Sequence, residues 1–247
     1  MKYIYVANWK MNLSFNQSIS FCTNNINALQ QLSNNTAHIV ICPSFDAIAS
    51  ITDIFKQSSI AIGAQNCSEH SSGAYTGEVS VQSLADIGIT YCLVGHSERR
   101  MYYGDTTEKI MKKIDLLLRN NIVPIICIGE TQEDFLNKKT FTTLTQQLEP
   151  IIQSLSTSNY QQVIIAYEPI WSIGTGIIPT IEQLTATFLW LAERIQLSLP
   201  NQNIQLLYGG SVSKNNSAAL KKIPHITGFL IGGASTDFEQ LKNIIIL

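Results

Sequence analysis

Short runs of apolar, mostly β-branched residues recur along the whole chain: Ile4–Ala7, Ile39–Cys42, Ile60–Ala64, Tyr91–Val94, Val123–Ile128, Val163–Tyr167, Ile204–Tyr208 and Gly228–Ile231. Each is short and nearly continuous rather than alternating, the pattern of a strand buried on both faces. Longer segments with helical spacing lie between them. Ser14 can cap a helix running to about Leu32; a second, from about Thr106 to Asn120, sets Ile110, Ile114, Leu117 and Leu118 on one face; a third, from about Thr180 to Leu197, repeats Leu184, Phe188, Leu191 and Ile195. Eight strands alternating with helices predict a parallel α/β architecture, and eight units of roughly thirty residues predict a closed (β/α)8 barrel rather than a doubly wound open sheet. No run is followed by G-x-G-x-x-G, which weighs against a dinucleotide-binding sheet. Nothing reads as a linker or a low-complexity stretch, so residues 1–247 are expected to form a single barrel domain.

Composition narrows the function classes. A chain of 247 residues has the length of one barrel-type domain. A formal net charge of −2, with only 14% charged residues, gives no basic footprint for nucleic acid. No stretch reaches the roughly 18 uninterrupted apolar residues of a membrane span. Met1–Val6 enters a strand-like run directly, without the regions of a signal peptide. Cys22, Cys42, Cys67, Cys92 and Cys127 are odd in number, form no C-x-x-C and lie partly inside apolar runs. These features predict a reduced, cytoplasmic protein with buried thiols and no structural metal.

In a parallel barrel, reacting groups collect where strands end and the following loops begin. The most informative such segment is Ala166–Gly176, A-Y-E-P-I-W-S-I-G-T-G. Glu168 ends an apolar run, and Pro169, lacking an N–H, stops strand pairing there. Ile170 to Gly176 then mixes large apolar residues, Trp171 among them, with two glycines, a composition that can hinge. A fixed carboxylate beside a movable apolar cover suits proton abstraction away from water; a surface Glu before an ordinary turn is the alternative. After the first run, Asn8 and Lys10 lie two apart, so an extended segment points both into the barrel mouth. There the Lys10 ammonium can bind a phosphate, unless it is merely an exposed lysine opening a loop. G-A-Q-N, Gly63–Asn66, reads as a packed polar rim. Gly73–Ser80 carries a turn-prone tip at Thr76 and Gly77 that either docks elsewhere or is a plain surface loop. In G-H-S-E-R-R, Ser97 can cap a short helix with Glu98 in its first turn. The N–H dipoles at that helix start disfavour a second proton on His96, leaving a neutral imidazole able to donate to a carbonyl, or else a core histidine satisfied by backbone. Gly209-Gly210-Ser211 and Gly232-Gly233 follow the last two runs; they expose backbone N–H groups suited to phosphate, or are simply tight turns.

These segments occur in one collinear order: A-N-W-K-M-N (Ala7–Asn12), G-A-Q-N, G-A-Y-T-G-E-V-S, V-G-H-S-E-R-R, I-C-I-G-E-T (Ile126–Thr131), A-Y-E-P-I-W-S-I-G-T-G, Y-G-G-S-V and I-G-G-A-S (Ile231–Ser235). Over essentially the whole chain they resemble the triosephosphate isomerase family. The resemblance implies a (β/α)8 TIM barrel and interconversion of dihydroxyacetone phosphate and D-glyceraldehyde 3-phosphate, with no metal or organic cofactor. It implies Glu168 as the base that moves a proton between adjacent carbons. Neutral His96 and Asn8 would polarise the carbonyl, Lys10 would supply positive charge, and Glu98 would support Lys10 and His96. A lid over Pro169–Pro179 would bring the Gly174 N–H to the phosphate beside those of Ser211, Gly232 and Gly233. It also implies a homodimer, with the loop near Thr76 entering a pocket near the partner's active site.

Three positions depart from the family pattern. Ile177-Ile178-Pro179 stands where a Lys often opens the second lid hinge, Asp105 where Glu is common, and Thr236 where Leu is common. The first bears on lid motion and the second on dimer stability. The rival readings are another phosphate-binding barrel isomerase and a non-catalytic phosphometabolite-binding protein on the same fold; neither needs Asn8, Lys10, His96 and Glu168 together.

Overall fold

The computed structural model of the chain describes residues 2–35, 37–158, 160–175 and 177–246, without the side chains of Asn34 and Asn35. Its strands are β1 (Tyr3–Asn8), β2 (Ala37–Cys42), β3 (Ala61–Ala64), β4 (Tyr91–Val94), β5 (Val123–Ile128), β6 (Val163–Tyr167), β7 (Ile204–Tyr208) and β8 (Ile226–Ile231). The helices between and after them are α1 (Phe15–Asn35), α2 (Phe45–Phe55), α3 (Val81–Asp86), α4 (Ser97–Tyr102), α5 (Thr107–Arg119), α6 (Gln132–Leu136), α7 (Thr140–Ser156), α8 (Ile181–Ser198), α9 (Ser217–Leu220) and α10 (Phe238–Ile246). Each strand pairs in parallel with its neighbour in sequence, and β8 pairs with β1, so the sheet closes into the expected barrel. Closure leaves no strand edge open.

The predicted helices form with their caps in place. Thr106 accepts from the Lys109 N–H ahead of α5, and Thr180 makes a reciprocal capping box with Gln183 ahead of α8. Ser14 Oγ accepts from the Gln17 N–H at 3.4 Å, and α1 runs past Leu32 to Asn35.

Strand parity separates two apolar layers. Ile4 and Val6 pack inside the barrel with Val40, Leu93, Ile125, Ile164 and Leu230, whereas Tyr5 and Ala7 belong to the larger cluster shared with the helices. Extending this period of two past the strand ends puts Asn8, Glu168, Gly209 and Gly232 on the inner row, at one mouth of the barrel. All five cysteines are free and buried, and burial pushes the Cys22 thiol up to about 12. No helix among the described residues is long and apolar enough to cross a membrane.

Candidate active site

Glu168 follows β6 directly. Its backbone N–H donates to the Ile128 carbonyl at 2.8 Å, which pins the main chain to the end of β5 before Pro169 ends the ladder. The side chain is buried, with Oε1 3.4 Å from His96 Nε2. Gly209 makes this placement possible: a Cβ there would come within 2.5 Å of Glu168 Cγ. Burial pushes the Glu168 carboxyl above the usual carboxylate range; His96, a hydrogen bond from the Cys127 thiol and Lys10 pull against that rise. Glu168 Oε2 is buried and makes no hydrogen bond among the described residues.

The sequence assigned the cap of α4 to Ser97. The cap is instead His96: its Nδ1 accepts from the Glu98 N–H at 3.2 Å, and Ser97 is already the first helical residue. The imidazole can take this place because a ring nitrogen lone pair two bonds beyond Cβ reaches the same orphan N–H that a serine hydroxyl would. With Nδ1 accepting, the proton of a neutral ring is on Nε2, the nitrogen that faces Glu168. The nearest Glu98 carboxylate oxygen is more distant from Nδ1, at 3.7 Å.

Lys10 also departs from its expected geometry. The chain is not extended there; φ is +53°, in the left-handed region that strains a residue with a Cβ. The Lys10 N–H donates to Asn8 Oδ1 at 3.2 Å, while its carbonyl accepts from Gln65 Nε2 at 2.8 Å and Ser44 Oγ at 3.1 Å. The ammonium pairs with Glu98 Oε1 at 2.6 Å. It also overlooks the last glycine turn, since a Cβ at Gly232 would lie 3.9 Å from Lys10 Nζ. G-A-Q-N is therefore more than a rim, because its glutamine holds the turn that carries the lysine.

Ile170–Ser172 forms a single 3-10 turn after Pro169. Ser172 fastens this segment to the glycine turn after β7: Ser211 Oγ donates to the Ser172 carbonyl at 2.6 Å, and the Ser172 and Tyr208 hydroxyls lie 3.2 Å apart. Burial pushes the Tyr208 phenol up to about 12, so it keeps its proton as a partner for Ser172. On the other side, Trp171 Nε1 donates to Glu130 Oε1 at 3.0 Å, and the Tyr167 hydroxyl meets the same oxygen at 3.2 Å. Burial raises the Glu130 carboxyl, against the pull of the Trp171 bond, its own backbone N–H and the Tyr167 bond. The segment is docked, and Gly174, at φ +68°, lies over the barrel mouth; Gly176, the second glycine of the motif, lies outside the described residues.

Asn8, Lys10, His96, Glu168, Gly174, Ser211, Gly232 and Gly233 thus line one cavity of ≈250 Å³. Glu98 is not in its wall and reaches the cavity through Lys10 and His96. Sequence reasoning missed Cys127, Gln65, Ser44, Ser172, Tyr208 and Glu130; for Gln65 and Glu130 the only signal was a polar residue just beyond a buried strand. Among the departures, Asp105 Oδ2 accepts from Arg99 Nε at 3.1 Å and from buried Lys113 Nζ at 2.9 Å, so the shorter acid still bridges two cations within the chain. Thr236 Oγ1 closes its own turn onto the Gly233 carbonyl at 2.8 Å. Among the described residues, no group of three or more His, Cys, Asp or Glu side chains is placed to hold a metal ion.

A buried carboxylate, a ring N–H, an ammonium and two glycine turns around one small space suit proton transfer at a carbon beside a carbonyl in a small anionic molecule. Similarity to known proteins points the same way. The family model described as triosephosphate isomerase matches residues 3–247. A protein named triosephosphate isomerase from Phocaeicola vulgatus is 38% identical over 99% of this chain and 98% of its own length. Relatives of the same name from Endomicrobium trichonymphae and Nitrosococcus oceani are 35% and 38% identical, covering 99% and 98% of this chain and 98% and 96% of their own lengths.

Proposed function

The chain belongs to the triosephosphate isomerase family and is an isomerase of triose phosphates, and from that premise we propose that Glu168 carries the proton in the interconversion of dihydroxyacetone phosphate and D-glyceraldehyde 3-phosphate. The observation that carries this reading is the buried Glu168 carboxylate facing His96 Nε2 at 3.4 Å inside the cavity that also holds Lys10. Glu168 takes a proton from the carbon beside the carbonyl, and the electron pair moves onto the carbonyl oxygen to give an enediolate. The Nε2–H of His96 and the Asn8 amide donate to its oxygens, and the Lys10 ammonium offsets the developing charge. The protonated Glu168 then returns the proton to the neighbouring carbon.

The substrate phosphate is held by the N–H groups of Gly174, Ser211, Gly232 and Gly233. The open space around Gly233, where a Cβ would meet nothing within 4 Å, supports that assignment. The docked lid, fastened through Ser172 and Trp171, keeps water from the enediolate and strengthens each electrostatic contact. No cofactor enters these steps. The same reading takes residues 1–247 as one catalytic domain of a cytoplasmic homodimer, with the loop near Thr76 at its interface and no nucleic acid or membrane partner; the single closed barrel supports the domain assignment.

A coupled assay with D-glyceraldehyde 3-phosphate tests the mechanism when the wild type is compared with Glu168→Asp. The shorter side chain withdraws the base, and a misplacement of about 1 Å costs on the order of 100-fold in kcat. Full kcat in that variant would remove Glu168 from the role of base.

A further inference from the structure

A second cavity, also of ≈250 Å³, lies behind the lid and shares no lining residue with the first. Its wall is largely apolar and includes Phe135, Phe141, Tyr167, Trp171 and Pro179. Leu136, Ile177 and Ile181, all exposed, border the same segments and widen the apolar surround. One carboxylate stands in this wall, beside the polar Lys138, Thr140, Gln183 and Thr187. Glu130 is fully buried and lines the cavity, and its two oxygens are unequal: Oε1 takes both the Trp171 and Tyr167 bonds, whereas Oε2 is buried with no hydrogen-bond partner among the described residues. A buried carboxyl oxygen without a donor carries an uncompensated desolvation cost, which a ligand N–H would remove.

We propose that this cavity is a binding site for a small aromatic amine, its ring lying against Phe135, Phe141 and Trp171 and its amino group donating to Glu130 Oε2. Pockets for drug-sized ligands measure roughly 300–1,000 Å³, so this smaller space fits one fused ring with a short chain rather than a peptide. A cation is favoured over an anion because the deep polar group is an acid and the ring faces attract positive charge; Lys138, the opposing charge in the lining, is exposed. The site has a built-in consequence, which rests on the lid reading above. Trp171 near the start of the lid and Pro179 at its end both belong to the wall, together with Phe141 of α7 and Ala186 of α8. An occupant therefore ties both ends of the lid to the outer helices and holds it docked.

Tryptamine is the probe. Titrated into the full chain, it is expected to bind saturably at one site and to shift the Trp171 indole N–H resonance, whereas 3-indolepropionic acid, with the same ring and the opposite charge, does not. Ala186→Trp fills the cavity from α8 and should abolish binding, so that kcat and KM of this variant no longer respond to tryptamine. Glu130→Gln should weaken binding at least tenfold, and it keeps the test decisive if the Ala186→Trp change perturbs α8. In turnover, saturating tryptamine should lower kcat and KM together, the mark of slowed lid release. Absent saturation, equal binding of the acid, or full affinity in either variant would overturn the site. Unchanged kinetics with tryptamine bound would overturn its link to the lid. The binding arms need no turnover, so a failure of the isomerase mechanism is distinguishable from a failure of this site.

Discussion

Burial holds the Glu168 carboxyl above its ordinary range, so the native state binds this proton more tightly than the unfolded chain does. The sign follows: stability tied to this group is fully present below the unfolded value and is lost as pH rises through the folded one. At neutral pH the ionised carboxylate is therefore a local cost. Glu168→Gln is expected to lower kcat/KM by about 10²–10⁴-fold yet raise Tm at neutral pH, with the gap in Tm closing as pH falls. A lower Tm at neutral pH, by calorimetry, would contradict the burial argument. The acid limb of kcat/KM in the wild type should lie above the ordinary glutamate value of about 4.3. Lys10 poses the opposite case, a cation whose use depends on an unfavourable backbone. Lys10→Met should abolish binding of a phosphorylated mimic such as 2-phosphoglycolate with the circular dichroism unchanged; retained affinity would place the phosphate elsewhere. The lysine was legible as a candidate, but its left-handed turn was not. That conformation is enforced by Ser44 and Gln65, whose partners are 34 and 55 residues away along the chain, and local spacing carries no trace of such contacts.

Among the elements, the strands were legible as short buried apolar runs, and α1, α5 and α8 by their helical spacing; the 17-residue α7 was not read. Where a single side chain decides, legibility fails. The helix α7 contains Pro150, a residue that disfavours a helix interior, and still runs from Thr140 to Ser156. The start of α4 was legible to within one residue, but its cap was assigned to the better-known capping type, serine, instead of the imidazole that takes the place. The lid shows the same limit. Its glycines and Trp171 were visible in the sequence, but not its anchors, because Glu130 and Tyr208 come from other strand ends. Trp171→Phe tests that anchoring, since it keeps an aromatic ring but removes the donor to Glu130 Oε1. A hydrogen bond to a charged group is worth about 1.5–3 kcal/mol. If it forms only when the lid is docked, the inhibition constant of 2-phosphoglycolate should rise by about 10- to 100-fold, with global Tm nearly unchanged. An unaltered constant would mean that the lid docks through Ser172 alone.

For the whole molecule, the exposed apolar residues are informative by position. Met11, 93% exposed, follows directly on the strained Lys10 turn, and Met101 and Tyr102 are exposed at the end of the helix that His96 caps. Tyr75, also exposed, stacks on His70 at 3.6 Å and stiffens the loop before Thr76. Exposed apolar groups beside site-bearing turns fit an assembly surface, and a second copy covering them would also brace those turns. A left-handed non-glycine residue costs on the order of 1–3 kcal/mol, a strain that surrounding contacts must hold in place. The expectation is a species of twice the 27.4 kDa chain mass by sedimentation. Thr76→Arg, a charge placed at the exposed loop tip, should shift that species toward the monomer. If a second copy braces the Lys10 turn in addition to Ser44 and Gln65, kcat/KM should fall by about tenfold or more while the far-ultraviolet circular dichroism of the barrel stays intact. A Thr76→Arg protein that remained dimeric would move the interface away from this loop. A monomer with full kcat/KM would show that the barrel holds Lys10 in its strained turn unaided, with Gln65 and Ser44 sufficient for the task.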